Sequence, residues 1–250
     1  NDGFYTVADF ESFDSKSRTW KLKEGVVDSS PLSDTPRPGN AKFKKLTPVD
    51  PNSTNPYQLT EADRTVIGNT TPKFSGGFGL NATYKGFDMS MFFNFMYDFD
   101  VLNANKIMLT TWADNKENNF LMDIASDKRW RNFDDMGNEI RYSPEVLAEF
   151  NKNATMWNPT SIGRPICMSY AVEDGSFLRL NSATLGYTLP SVWTKKVGLS
   201  KVRFYVSGNN LFTLTGYSGY DPEVNIATGL TPNIDYDRYP RSRTYTFGAQ

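Results

Sequence analysis

The residues that usually carry acid–base, nucleophilic or metal chemistry are sparse in this chain. Its 250 residues include no histidine and one cysteine, Cys167. Without histidine the chain lacks the commonest general base and the nucleophile systems that depend on one. One thiol cannot form an internal disulfide or a cysteine metal cluster. Asp221 and Glu223 are close in sequence, but nothing around them indicates the paired-carboxylate environment of a glycosidase. The sequence therefore predicts neither an enzyme nor a metal centre.

The composition favours a β protein rich in aromatic side chains. There are 18 Phe, 13 Tyr and 5 Trp, while 27 basic residues nearly balance 28 acidic ones. This balance gives no bulk attraction to nucleic acid. The mean hydropathy is −0.52, and no apolar run approaches the ~18 residues of a membrane-spanning helix. Two classes remain, a soluble all-β protein and a transmembrane β-barrel, whose outward apolar residues alternate with inward polar ones.

Five segments alternate apolar and polar residues with the period of a β-strand. They are Lys73–Tyr84, Phe87–Phe99, Phe177–Leu189, Val202–Thr215 and Thr244–Gln250. The second is the clearest, because seven alternate positions are Phe, Met or Tyr, a row of about 40 Å at ~3.3 Å per residue. That is more than a tilted strand needs to cross a bilayer. The predicted lipid-facing residues are Phe87, Met89, Met91, Phe93, Phe95, Phe204 and Phe247.

The connections between these strands alternate in length. Lys85-Gly86 is tight and Pro190–Ser200 is short, whereas 100–175 and 216–243 are long. Outer-membrane barrels have short periplasmic turns and long extracellular loops, so the pattern predicts a transmembrane antiparallel β-barrel. Helical turns are predicted in 101–128, and a short helix is predicted after Ser143, with Pro144 as its first residue.

Four side chains are candidates for contact with a ligand. Trp112, Trp130 and Trp157 lie in the first long connection, where aromatic rings could stack on sugars, contact a partner or hold the loop together. Asn209 lies on the polar side of a predicted strand, where it could touch cargo or bond to a neighbouring strand.

Five runs of residues, in the same order along the chain, resemble the SusC/RagA family of TonB-dependent transporters. They span roughly residues 40 to 250. The first begins at Asp63-Arg64-Thr65-Val66-Ile67-Gly68, and the next is Tyr84-Lys85-Gly86-Phe87-Asp88. The others are Asp174-Gly175-Ser176-Phe177-Leu178-Arg179-Leu180, then Ser207-Gly208-Asn209-Asn210-Leu211-Phe212 with Gly219-Tyr220-Asp221-Pro222-Glu223, and Tyr239-Pro240-Arg241-Ser242-Arg243.

The resemblance implies an outer-membrane location in a Gram-negative bacterium of the Bacteroidetes and a barrel of 22 strands. It also implies import of a nutrient, typically an oligosaccharide and in some members a peptide. A SusD-like surface lipoprotein would close the barrel as a lid, TonB would act through an N-terminal plug, and pairs of transporter and lipoprotein could dimerise. On this basis residues 1–250 are expected to form the C-terminal part of the barrel, with the plug and the TonB box outside this chain.

The resemblance also raises the question of a calcium ion. Members often carry a calcium-loop-like run before the Asp-Arg-Thr-Val-Ile-Gly motif. Here the segment Asp50–Asp63 contains Pro56 and no glycine, whereas a calcium loop needs several carboxylates and a sharp glycine turn. We therefore expect no cofactor and no bound metal.

Two functions from different classes remain open at this point. The first is transport through a barrel in contact with outer-membrane lipid. The second is a soluble or surface-attached β protein that binds glycans without transporting them. They differ in what covers the Phe and Met row of Phe87–Phe99, which is lipid in the first and a protein core in the second. The cargo stays open, since loops, plug and lid set it.

Overall fold

The structure is a computed structural model of the chain. It describes residues 2–32, 34–111, 120–125, 127–162, 166–223, 232–236 and 239–250. The chain divides into two compact units, one formed by Asn1–Ile67 with Ala104–Ala171 and the other by Gly68–Asn103 with Val172–Gln250. We call the first the loop unit and the second the sheet unit.

Short helices and longer strands make up the regular structure of the described residues. The strands are β1 (Phe10–Asp14), β2 (Thr19–Leu22), β3 (Phe74–Tyr84), β4 (Phe87–Tyr97), β5 (Asp100–Asn103), β6 (Val172–Asp174), β7 (Phe177–Thr188), β8 (Arg203–Thr215), β9 (Ile234–Asp235) and β10 (Thr244–Ala249). The helices are α1 (Ala104–Met108), α2 (Pro144–Phe150) and α3 (Ser191–Thr194). No helix in the described ranges is both long and apolar enough to cross a membrane.

The main sheet of the sheet unit has five strands in the order β10-β8-β7-β4-β3. Every neighbouring pair is antiparallel. These strands are the five segments that the alternation predicts, and their ends differ from the predicted ends by two residues or fewer. Each of these five strands pairs with the next of the five along the chain.

The turn between β3 and β4 is as tight as the sequence predicts. Lys85 and Gly86 both have positive φ, 47° and 88°. Two central residues with positive φ form the mirror-image turn whose twist matches that of the flanking strands. A Cβ at Gly86 would also lie 2.9 Å from the carbonyl oxygen of Thr188. Glycine at this position therefore satisfies both the backbone conformation and the close approach of the next strand.

A second sheet in the sheet unit has three strands, in the order β6-β5-β9. β5 is antiparallel to β6 and parallel to β9. Four buried side chains form a cluster in this unit, namely Phe99, Val101, Phe177 and Tyr217. The prediction of helical turns from residue 101 is wrong at its start, because 101–103 belong to β5. Helical structure then follows at α1 and in a single turn at Met122–Ile124.

The loop unit is held together by apolar packing more than by regular structure. Its regular elements are the β1–β2 hairpin, which the sequence did not predict, and α1 and α2. α2 begins where predicted, with Pro144 in its first turn, although the side chain of Ser143 makes no capping hydrogen bond. Two apolar clusters form around Trp157 and Trp130.

Candidate functional site

The five-stranded sheet places every predicted lipid-facing residue on one face, which we call the apolar face. Register aligns Phe87 with Tyr187 on β7 and, across β7, with Phe204 on β8. Met89 aligns in the same way with Leu185, Val206 and Phe247. The face continues onto β3, where Leu80 lies opposite Met91 and Phe78 opposite Phe93.

Many side chains of the apolar face are exposed in the described part of the chain. Phe247 is 79% exposed, and Phe87 and Phe204 are each 51% exposed. Leu80, Leu185 and Tyr245 are exposed as well. An apolar patch that spans five strands is larger than soluble monomers usually leave in water, so it requires a cover.

A bulge in β7 keeps apolar side chains on the apolar face along the whole strand. Ser182 lies opposite Phe92, but the next pair is Leu180 with Phe93, so Asn181 is an extra residue. Side chains alternate along a strand, and one extra residue therefore moves the following ones to the other face. Leu180 and Leu178 consequently join the apolar face beside Phe93 and Phe95. Alternation read from the sequence did not find this bulge.

Glycines on the opposite face make room for large side chains. A Cβ at Gly77 would lie 2.8 Å from the ring of Phe92, and one at Gly248 would lie 2.4 Å from the ring of Tyr205. Glycine inside a strand often makes room for a large neighbouring side chain in this way. The opposite face, which we call the polar face, thus carries rings between its polar groups.

An ion pair crosses the polar face from β8 to β4. Arg203 Nε donates to Asp88 Oδ1 at 2.9 Å. The arginine passes over β7 at Gly186, where a Cβ would lie 2.3 Å from the guanidinium. Glycine at this point of β7 therefore allows two charged groups that are 115 positions apart to meet.

Three of the family-like runs meet in a single charged network. Arg179 on β7 is 1% exposed and pairs with Asp221. The Nη2 atom of Arg179 lies 3.7 Å from Glu223 Oε2, and Arg241 pairs with the other oxygen of Glu223 at 2.9 Å. The backbone N–H of Glu223 donates to Asp221 at 2.9 Å. Asp221 and Glu223 therefore act as partners of arginines, which gives a structural explanation for the pair that resembled glycosidase acids.

The residues just after β8 form hydrogen bonds with neighbouring parts of the sheet unit. The hydroxyl of Tyr217 donates to Asp235 at 2.6 Å. Burial, and then the carboxylate of Asp235, raise the pKa of Tyr217 well above its ordinary value. Ser218 donates to Glu173 through its N–H at 2.9 Å and its hydroxyl at 2.8 Å. Sequence reasoning missed all these contacts, although a lone Arg179 in an otherwise uncharged strand was a usable signal.

Asp63, the first residue of the Asp-Arg-Thr-Val-Ile-Gly run, organises the chain around it. Its carboxylate accepts from the N–H groups of Leu46 at 2.9 Å, Thr47 at 2.7 Å and Thr60 at 2.8 Å. It also accepts from Lys45 at 3.3 Å. Burial by itself would raise the pKa of Asp63, but these donors outweigh it and hold that pKa far below its usual range.

In the segment Asp50–Asp63, the carboxylates of the first and last residues accept hydrogen bonds from the chain itself. Asp50 accepts from the N–H of Asn52 at 2.9 Å, and both oxygens of Asp63 face N–H and O–H donors. Within the described ranges, no three acidic or cysteine side chains gather as a group that could hold a metal ion. The expectation of no bound calcium stays a prediction.

The ligand-contact candidates occupy different environments. Trp130 and Trp157 are each 3% exposed and pack inside the loop unit, a position that favours the loop-holding role. Asn209 is exposed on the polar face, opposite Ser182 and Thr244. Trp112 lies outside the described residues. Trp130 and Trp157 belong to two different apolar clusters of the loop unit.

Comparison with known proteins gives consistent matches. No family model matches the chain. The chain is 35% identical over 197 residues to the TonB-dependent receptor P3 of Formosa agariphila, covering 76% of this chain and 17% of that receptor. It is 36% identical over 83 residues to the TonB-dependent receptor SusC of Bacteroides thetaiotaomicron, covering 32% of this chain and 7% of SusC. This chain thus spans about a sixth of the length of the first of these relatives.

One solved structure, described as the RagAB peptide importer in its open-open state, has a similar fold. It aligns with a TM-score of 0.50 and 23% identity, covering 80% of this chain and 19% of that chain. At this identity the likeness concerns the fold alone. The matched proteins are named as receptors and an importer, not as enzymes. This agrees with the lack of a histidine-based catalytic set in the sequence.

Proposed function

Because the chain belongs to the SusC/RagA family of TonB-dependent receptors, we propose that it forms part of the wall and external loops of an outer-membrane β-barrel that imports a nutrient. The observation that carries this proposal is the apolar face, which runs across five antiparallel strands and lies open. In the barrel, lipid covers this face and the polar face lines the lumen.

Strand length supports the same assignment. β3 and β4 have 11 residues each, β7 has 12 and β8 has 13. A tilted transmembrane strand needs about 9–11 residues. β3 and β10 form the two edges of the sheet, and in the proposed barrel of 22 strands both edges pair with strands supplied by the rest of the receptor.

The loop unit and the segment 216–243 belong to the external loops in this proposal, and Trp193 belongs to the opposite end. Trp193 is 59% exposed in the short connection between β7 and β8, next to Lys195 and Lys196. A tryptophan beside lysines suits the membrane interface, where the ring packs at the headgroup level.

The proposed partners are a SusD-like lipoprotein on the outside and TonB through the N-terminal part of the receptor. The proposed cargo is an oligosaccharide. Import of a peptide is the second candidate, since the structure with the similar fold is named a peptide importer. The alternative from another class is a surface glycan-binding β protein that transports nothing, in which protein rather than lipid would cover the apolar face. Cargo contact by Trp112, Trp130, Trp157 or Asn209 stays a prediction.

Two adjacent substitutions test the barrel. Met91→Arg puts a charge on the apolar face, at a cost of about 2–4 kcal/mol near the bilayer midplane. Ser90→Arg puts the same charge on the polar face, where Ser90 is exposed. Expressed in the full-length receptor, Met91→Arg should reduce the folded receptor in outer membranes, measured by surface labelling and heat-modified electrophoretic mobility. Ser90→Arg should leave it near the wild-type level. Equal surface levels of the two variants would overturn the proposal.

A second experiment tests import and names the cargo. A strain lacking the full-length receptor is grown on a panel of oligosaccharides and peptides, with and without the wild-type gene restored. Loss of growth on one nutrient, recovered by the restored gene, supports import and identifies the cargo class. Normal growth on every nutrient that the parent strain uses would contradict it. Copurification of a surface lipoprotein with the receptor from membranes checks the proposed lid.

A further inference from the structure

A cleft with many hydrogen-bond donors lies within the loop unit. Its volume is about 290 Å³, and its walls come from the β1–β2 hairpin and from residues in the ranges 34–40, 132–147 and 158–161. Ligand pockets usually run from about 300 to 1,000 Å³, so this cleft suits one small chemical group rather than an extended oligomer. The barrel wall described above makes no use of it.

Positive charge and donors dominate the lining. Three arginines, Arg18, Arg37 and Arg141, face one acid, Asp34. Three asparagine amides, two threonine hydroxyls and one serine hydroxyl complete the polar wall. A guanidinium only donates hydrogen bonds, whereas a carboxylate or sulfate only accepts them. The lining therefore matches a ligand group that supplies acceptors and negative charge.

Two of the arginines are held against one aromatic ring. The guanidinium carbons of Arg18 and Arg141 lie 4.8 and 5.1 Å from the centre of the Tyr142 ring. Arg141 is also paired with Glu139. The ring attracts each cation and limits its movement, and in Arg18 this prepares the guanidinium for bidentate bonding to an oxyanion. In the described part of the chain, neither Arg18 nor Arg37 has a carboxylate within ion-pair distance.

A buried hydroxyl supplies a separate indication of a ligand. Ser161 lines the cleft and is 6% exposed, yet its Oγ has no hydrogen-bond partner among the described residues. The neighbouring polar side chains are hydrogen-bonded to each other, since Asn158 Oδ1 accepts from Thr160 N at 3.0 Å and from Thr160 Oγ1 at 2.8 Å. Buried polar groups are normally satisfied, so an unsatisfied one in a cleft wall marks a place for a bound acceptor.

We propose that this cleft binds an oxyanion, the carboxylate or sulfate group of a small ligand. Arg18 and Arg37 supply two positive charges against the one negative charge of Asp34, Arg141 is held against Tyr142, and Ser161 donates from the buried end. The site is built from the loop unit alone and goes beyond the proposed transport function, so the two stand or fall separately.

The test uses the full-length receptor in detergent and isothermal titration calorimetry. The probes are sodium glucuronate, sodium sulfate and glucose, with glucose as the uncharged control. The proposal predicts that at least one anion binds and that glucose does not. Tighter binding of glucuronate assigns a carboxylate, and tighter binding of sulfate assigns a sulfate ester. Absence of binding by both anions, or equal binding of glucose and glucuronate, would overturn the proposal.

Substitutions locate the binding in this cleft. Arg37→Gln and Arg18→Gln should each weaken anion binding about tenfold, the loss expected for one charge-assisted hydrogen bond. Arg64→Gln is the matched control, because Arg64 is an exposed arginine of the same unit outside the cleft. An unchanged affinity in both cleft variants, or an equal loss in Arg64→Gln, would refute the site. Retained import with lost binding would leave the transport proposal standing.

Discussion

Replacement of Arg179 by methionine should destabilise the sheet unit strongly. Arg179 is 1% exposed and Asp221 is 7% exposed. The substitution leaves Asp221 with one remaining donor in the network, the N–H of Glu223. Glu223 retains Arg241. The damage is therefore one uncompensated buried carboxylate rather than two.

The magnitude follows from that difference. Removal of one partner of a buried ion pair costs about 3–5 kcal/mol, because the other charge stays buried without compensation. Since Glu223 keeps its own arginine, we expect Arg179→Met near the lower end, about 3 kcal/mol. Replacing both partners with apolar residues of similar size is often nearly neutral. The double variant Arg179→Met/Asp221→Leu should therefore be more stable than Arg179→Met alone.

The assay compares the two single variants, the double variant and the wild type as full-length receptors in detergent. The apparent unfolding midpoint is followed by loss of heat-modified mobility. The predicted order is wild type, then the double variant, then either single variant. Single effects that simply add in the double variant would refute the reasoning, because independent sites add and contacting charges do not.

Two further predictions concern single positions. Asp63→Asn should destabilise the loop unit at pH 7 by at least about 1.5 kcal/mol. The pKa of Asp63 in the folded chain lies below its ordinary value of 3.8, so its contribution is complete above that pH and declines as the pH falls further. The difference in unfolding midpoint between Asp63→Asn and the wild type should accordingly shrink from pH 7 to pH 3, and a constant difference would contradict this account. Gly186→Ala should cost about 1 kcal/mol by displacing Arg203 from Asp88, whereas Gly216→Ala, with nothing within 4 Å of the added Cβ, should be neutral. Equal unfolding midpoints for the two alanine variants would argue against a tight crossing at Gly186.

The strands and their two faces were predictable from the sequence because both depend on a local pattern. Alternation of Phe and Met with polar residues fixed β4 and the face that it presents, and a Lys-Gly pair fixed the turn before it. The bulge at Asn181 was not predictable in this way. It shifts the alternation of side chains by one residue, within a strand whose side chains differ little in size between the two faces. The β1–β2 hairpin was not predicted either, because its strands of five and four residues are too short to show a clear alternation.

The charged network and the loop unit depend on contacts between distant positions, which periodicity does not report. Arg179 lies 42 positions from Asp221, and Arg241 lies beyond both. The tryptophans illustrate the same limit. For Trp130 and Trp157 the sequence left three roles open, namely ligand contact, partner contact and loop packing. Their burial depends on clusters assembled from several stretches of chain.

Solvent accessibility of spin labels on adjacent residues of β4 tests the central claim most directly. In a full-length receptor in which Cys167 and every cysteine outside this chain are replaced by serine, Met89→Cys, Ser90→Cys and Met91→Cys are labelled with a nitroxide in lipid bilayers. Power saturation compares the accessibility of each label to oxygen and to a water-soluble nickel complex. We predict that labels at 89 and 91 are open to oxygen and protected from nickel, and that the label at 90 shows the opposite. Nickel access to positions 89 and 91 equal to that at 90 would contradict a lipid-facing apolar face.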